Sequence, residues 1–104
     1  MIVVIGSASV RGGREEQALA LSLEHVKRSR GESGCISHSV HRDAESPSRL
    51  VFLEQWEDLA SLQAHFQVAA SRQFGKALAE LCDSPPTLQA YDAGTIDPFR
   101  RPAT

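Results

Sequence analysis

Apolar residues recur along this chain at two different periods, and each change of period marks an element. From Ile2 to Val10 the period is two. Ile2, Val4, Ala8 and Val10 share one face and Val3, Ile5, Ser7 and Ser9 the other, which predicts a first strand. Gly12-Gly13 reads as a turn. From Arg14 to Arg30 the period becomes helical: Leu19, Leu23 and Val26 follow i, i+4, i+7, with Ala18 and Ser22 beside them. Glu15 and Glu16 lie in the first turn of this helix, where negative charge is favoured, and Gly31 ends it.

Period two returns from Cys35 to Arg42, with Ile36, His38, Val40 and Arg42 on one face and Cys35, Ser37, Ser39 and His41 on the other. A polar connection, Asp43 to Ser48 with Pro47 inside it, is short enough for a hairpin. Leu50 to Trp56 is the third strand, with Leu50, Phe52, Glu54 and Trp56 opposite Val51, Leu53 and Gln55. Asp58 suits a helix N-cap, and Leu59, Leu62 and Phe66 follow on one helical face. Ser71 is expected to cap a second segment containing Phe74, Leu78 and Leu81, which Pro85-Pro86 closes. Thr87 to Tyr91 is a short last strand. Residues 1–91 therefore form one domain, and residues 92–104, with isolated Ile96 and Phe99, form a tail or docking arm.

The order βαββαβ predicts a ferredoxin-like α+β domain, an antiparallel sheet with helices on one face. Large apolar residues on both faces of the first and third strands leave one face without a cover. The expected cover is a second copy, so a homodimer through the sheet face is predicted.

Composition narrows the function classes. Eleven Lys and Arg against thirteen Asp and Glu give a net charge of −2, which argues against nucleic acid as a partner. The basic stretch Lys27-Arg28-Ser29-Arg30 fits a helix C-terminus. Gly6 and Arg11 interrupt the apolar start too soon for a signal peptide. No run reaches the roughly 20 apolar residues that span a bilayer. Cys35 and Cys82 form neither a CxxC pair nor a disulfide framework, so two reduced cysteines in the cytoplasm are expected.

Four side chains stand out chemically. Glu54 interrupts an apolar strand face and is either a strand-end carboxylate or a group lining a pocket. Trp56 is the only tryptophan, a core anchor or a wall for a flat ligand, with Phe52 and Phe66 able to extend that wall. His65 lies on or beside the apolar face of its helix and could exchange a proton with a phenolic hydroxyl, with His38 as the second candidate. His25 and His41 read as solvent-facing. His38, His65 and Glu54 together could make a facial metal triad, but no compact metal motif is present, so no metal site is expected. A GxSxG elbow and a phosphate loop are both missing.

Gly34-Cys35-Ile36, Arg42-Asp43, Phe52, Glu54-Gln55-Trp56, Leu62, His65-Phe66 and Phe74 together resemble the antibiotic biosynthesis monooxygenase family, closest to its small quinol-monooxygenase-like members. The segment Val10 to Glu16 resembles the family's link between first strand and first helix. The resemblance implies dimeric α/β barrels and a cavity between sheet and helices. It also implies cofactor-independent oxidation of a hydroquinone or polycyclic phenol by O2. On that likeness His65 and His38 are the catalytic candidates. Trp56, Phe52, Phe66, Glu54 and Arg42 are the substrate-binding ones. The chain departs from the family in having His38 where tyrosine is frequent and Gln73 where histidine is frequent. Gln73 to Leu81 also lacks the helix histidine that haem-degrading relatives use. Two other functions compete: non-catalytic binding of a small aromatic ligand, and a non-oxidative isomerisation.

Overall fold

A computed structural model describes residues 1–102. Its elements are β1 (Ile2–Ser9), α1 (Glu15–Ser29), β2 (Cys35–Asp43), β3 (Ser46–Trp56), α2 (Leu59–Gln67), α3 (Ala69–Glu80) and β4 (Thr87–Asp92). The expected order holds, with the second helical region divided in two. Asp58 caps α2 by accepting from the Ser61 amide at 2.8 Å. Val68 then takes an extended conformation and separates α2 from α3. Ser71 does not cap the second piece. It lies inside α3 and is buried.

The four strands run in the order β2-β3-β1-β4, with every neighbouring pair antiparallel. The sheet is open, which corrects the expected α/β barrel. A barrel closes only when its outer strands pair, and here β2 pairs with β3 alone and β4 with β1 alone. β3 also starts earlier than expected, because Asp43 pairs with Ser46 and the turn is tight. Pro47 is accommodated at the register shift that follows Arg42, where no regular ladder hydrogen bond is needed.

A second register shift, between Cys35 and Ser37, changes which residues share a face. Strict alternation puts Cys35 and His38 on opposite faces. Ile36 is the extra residue of a bulge, so Cys35 pairs with Trp56 while His38 pairs with Glu54, and both side chains turn toward the helices. Ile36 is left half-exposed.

The face of α1 that meets the sheet also differs from expectation. Ala18, Ser22, His25, Val26 and Ser29 are buried, whereas Leu23 is largely exposed. Small side chains at 18, 22 and 29 let the helix backbone approach the sheet, which displaces the leucines to the flank. Two apolar clusters result. One gathers Val10, Leu50, Phe52 and Leu78, and the other gathers Val4, Trp56 and Leu62. Past β4, the amide of Ala93 donates to the carbonyl of Met1 at 2.8 Å. Ile96 and Phe99 are exposed, and residues 103 and 104 of the expected arm lie outside the described region.

Candidate active site

A group of buried polar residues occupies the space between the sheet and the helices. His25 comes from α1, His38 from β2, Glu54 from β3 and His65 from α2, and all four are buried. They border a cavity of about 460 Å³ between the inner sheet face, α3 and the edge strand β4. The rest of its wall is mainly apolar, with Phe52, Phe74, Leu78 and Leu88 prominent, and Phe66 and Arg72 also contribute. Burying three imidazoles and a carboxylate costs desolvation free energy that an apolar core would not incur. Such an arrangement is therefore a signature of function.

Glu54 is placed by its strand neighbour. Trp56 lies two residues on, points the same way, and donates its indole N–H to Glu54 Oε1 at 2.9 Å. His38 Nε2 stands 3.6 Å from Glu54 Oε2, and His65 Nε2 stands 4.0 Å from Oε1. Burial pushes the Glu54 carboxyl upward, while the Trp56 hydrogen bond and His65 draw it back. Burial lowers His38 to about 4, with His65 and Arg30 adding to the effect. Neither nitrogen of His38 has a hydrogen-bond partner.

His65 is held from the other side. Its Nδ1 lies 2.8 Å from Oε1 of Glu32, in the turn between α1 and β2. A carboxylate accepts, so Nδ1 donates and the lone pair of the neutral ring lies on Nε2, the atom nearer Glu54. The turn is shaped by Gly34, whose φ of +82° suits glycine. A β-carbon at Gly34 would overlap the Ser61 side chain. The Gly34 carbonyl also accepts from the Glu57 amide at 2.8 Å, tying this turn to the start of α2.

His25 is not solvent-facing. It is 5% exposed, stacks on Phe74 with ring centroids 3.9 Å apart, and lies 5.1 Å from His38 and 5.3 Å from His65. Burial first, then His38, His65 and Arg28, pull its pKa down to about 3.

The candidate residues named from the sequence thus divide. His65, His38, Glu54, Phe52 and Phe66 converge on the cavity. Trp56 does not line it: the ring is fully buried, 4.7 Å from His65, and supports Glu54 from behind. Arg42 is also elsewhere, because the inner face of β2 runs out past the end of the cavity and its guanidinium pairs with Glu16 at 2.9 Å. His41 is exposed beside Ser39, as expected. Glu32 and His25 were not found from the sequence. The available signal for His25 was its place on the small-residue stripe Ala18, Ser22, Ser29. Glu32 lies in a turn and carried no local signal.

One nitrogen from each of His25, His38 and His65 lies within 4.8 Å of the others. As a metal-ligand set the group is compromised at His25, whose Nδ1 faces a guanidinium donor, Arg28 Nη2, at 2.8 Å. His38, His65 and Glu54 are the groups whose lone pairs are open to a cation.

A model of the antibiotic biosynthesis monooxygenase family matches residues 1–77, and the chain belongs to that family. It is 33% identical over 90 residues to an uncharacterized protein of Synechocystis, sll1783, covering 86% of this chain and 61% of that protein. The chain thus spans less than two thirds of that relative. A candidate antibiotic biosynthesis monooxygenase of Deinococcus radiodurans superposes with a TM-score of 0.89 at 23% identity, over 97% of this chain and all of the other; at that identity the likeness is one of fold. A conserved protein of Methanosarcina mazei superposes with a TM-score of 0.83 at 26% identity, over 86% of this chain and 89% of its own. Among the described residues, no helix is long and apolar enough to cross a membrane.

Proposed function

We propose that this protein oxidises a hydroquinone or polycyclic phenol with O2, using His65 as the base. The observation that carries this reading is the Glu32–His65 pair at 2.8 Å, which leaves the Nε2 lone pair of His65 beside an apolar cavity large enough for a flat aromatic molecule. Family membership supports the general reaction type.

The protein's task in such a reaction is limited to acid–base chemistry and solvation. His65 removes the phenolic proton, and the electron-rich anion then supplies the electrons that reduce O2. For a hydroquinone the balance is one substrate and one O2 giving one hydroxyquinone and one water. Phe52, Phe74 and Leu88 exclude water from the ring, and Glu54 stands where it can stabilise His65 once the imidazole is protonated. His38 is the second acid–base group. Oxygen uptake by metal-free protein with a panel of hydroquinones and anthrone-like phenols tests the reading. Saturable uptake lost in His65→Ala supports it, and uptake no faster than with heat-denatured protein opposes it. Turnover without O2 consumption would indicate an isomerase that uses the same base.

The sheet face away from the helices supports a homodimer. Ile5 and Leu53 are register partners on that face, Tyr91 lies one row along, and all three are more than 40% exposed. Light scattering on the eluting protein should give twice the chain mass, and Leu53→Lys should give one chain mass. A monomeric wild type would overturn this.

A further inference from the structure

We propose that His25 is the hydrogen-bond donor to the phenolate formed when His65 takes the substrate proton. The proposal deepens the reading above and rests on it. It is carried by the contrast between what the two rings face on their far sides.

The Arg28 guanidinium has donors only, and its Nη2 lies 2.8 Å from His25 Nδ1. Nδ1 must therefore accept, which places the hydrogen of the neutral ring on Nε2. At His65 the partner is an acceptor, and the assignment is the reverse: hydrogen on Nδ1 and lone pair on Nε2. The two imidazoles are neighbours with opposite tautomers, one ready to take a proton and the other ready to offer a hydrogen bond.

The location fits this role. Arg28 borders a second, smaller cavity between α1 and α3, and it does not line the main one. His25 borders both, so its Nδ1 edge looks toward Arg28 and its Nε2 edge is left for the main cavity. The parallel stack on Phe74, with an interplanar angle of 7°, fixes the plane of the ring. Nitrogens of His25 and His65 lie within 4.8 Å of each other, so a single substrate oxygen can be within reach of both. His25 stays neutral at physiological pH because burial, His38, His65 and Arg28 all disfavour its charged form.

The step balances within the site. The substrate O–H bond breaks, its proton forms a bond to His65 Nε2, and the electron pair stays on the substrate oxygen. His25 keeps its own proton throughout and contributes a preorganised dipole where charge develops. Arg28 is a positioning residue, because it acts through the tautomer of His25.

The test uses 4-nitrophenol, whose ionised form absorbs visible light, so that no turnover is required. Wild-type protein is expected to bind it ionised at a pH where the free probe is mostly protonated. His25→Phe, which retains a ring against Phe74, should lower the ionised fraction of bound probe at least tenfold. His25→Gln, which retains an N–H donor, should restore part of it, and Arg28→Met should give an intermediate loss. Nitrogen NMR of the wild-type histidines supplies a readout independent of the variants and should show His25 protonated at Nε2. An Nδ1–H tautomer would overturn the proposal. So would failure of the wild type to bind the probe in ionised form, or unchanged ionisation in His25→Phe. If ionisation depends on both histidines while no hydroquinone consumes O2, the His25 assignment stands and the oxidative reading falls.

Discussion

Glu32 and His65 are 33 positions apart in sequence and meet at 2.8 Å, joining the turn after α1 to the last turn of α2. The contact sets the protonation pattern of the imidazole before any substrate arrives. Replacing Glu32 with Gln presents an amide that can donate to Nδ1 and so moves the ring hydrogen to Nε2. Oxygen uptake should fall roughly ten- to hundredfold with little change in KM. The circular-dichroism melting temperature should change little, because the substitution keeps the shape of the side chain. A large KM effect with unchanged kcat would instead assign Glu32 to substrate binding.

The buried imidazoles make stability depend on pH with a definite sign. His25 and His38 have folded-state values of about 3 and about 4, below the ordinary 6.5. The unfolded chain therefore binds more protons between those limits. Their contribution is fully present above about pH 6.5 and is lost as pH falls toward 4 and then 3, by roughly 1.4 kcal/mol per pH unit for each ring. Glu54 is raised and acts in the opposite direction, losing its contribution as pH rises through its folded value. Two groups outweigh one, so urea unfolding at pH 7 and pH 5 should show a clearly less stable protein at pH 5. His38→Leu should flatten that dependence.

Gly34→Ala should be among the most damaging single-methyl changes in the chain. The added carbon would overlap Ser61, and φ at this position is +82°. A loss of about 1–3 kcal/mol is expected in denaturant titration. Combining it with Ser61→Gly should recover only part of the loss, because relief of the overlap leaves the backbone strain in place.

Arg42→Ala should leave activity unaltered. The guanidinium is exposed and pairs with Glu16, whose side chain is 83% exposed, so the pair contributes roughly 0–1 kcal/mol. An activity loss greater than threefold would show that Arg42 reaches the substrate after all.

Both thiols should react slowly at neutral pH. Burial raises Cys35 and Cys82, with Glu32 adding to the first and Asp83 to the second. Iodoacetamide labelling followed by mass spectrometry should show slow modification in the native protein and rapid modification of both thiols in urea.

Much of the fold was legible because its signals are local. The period-two runs, the Asp58 cap and the proline pair each report on a few adjacent residues. The site was legible where a polar side chain interrupts an apolar face, as Glu54 and His65 do. Three features were not accessible in that way. The apolar stripe Leu19, Leu23, Val26 concealed the smaller residues on which α1 packs, and His25 with them. Glu32 takes its meaning from a partner in another element. Trp56 and Arg42 sit on the expected strands, but how far each lies from the cavity depends on packing that alternation does not encode.

The bulge at Ile36 gives β2 a local tolerance that the rest of the strand lacks. Cys35 and His38 are three positions apart and both face inward, because Ile36 is an extra residue between them. An in-frame loss of the Ile36 codon would remove that extra residue and restore regular pleating. Ser37 would still pair with Gln55 and His38 with Glu54, so neither would change face. Substitution of Ile36 would alter only a half-exposed side chain. This position should therefore tolerate both replacement and deletion, whereas loss of Val40 would reverse the face of the residues on one side of it, a difference that a library of codon variants and codon deletions scored for function would display directly.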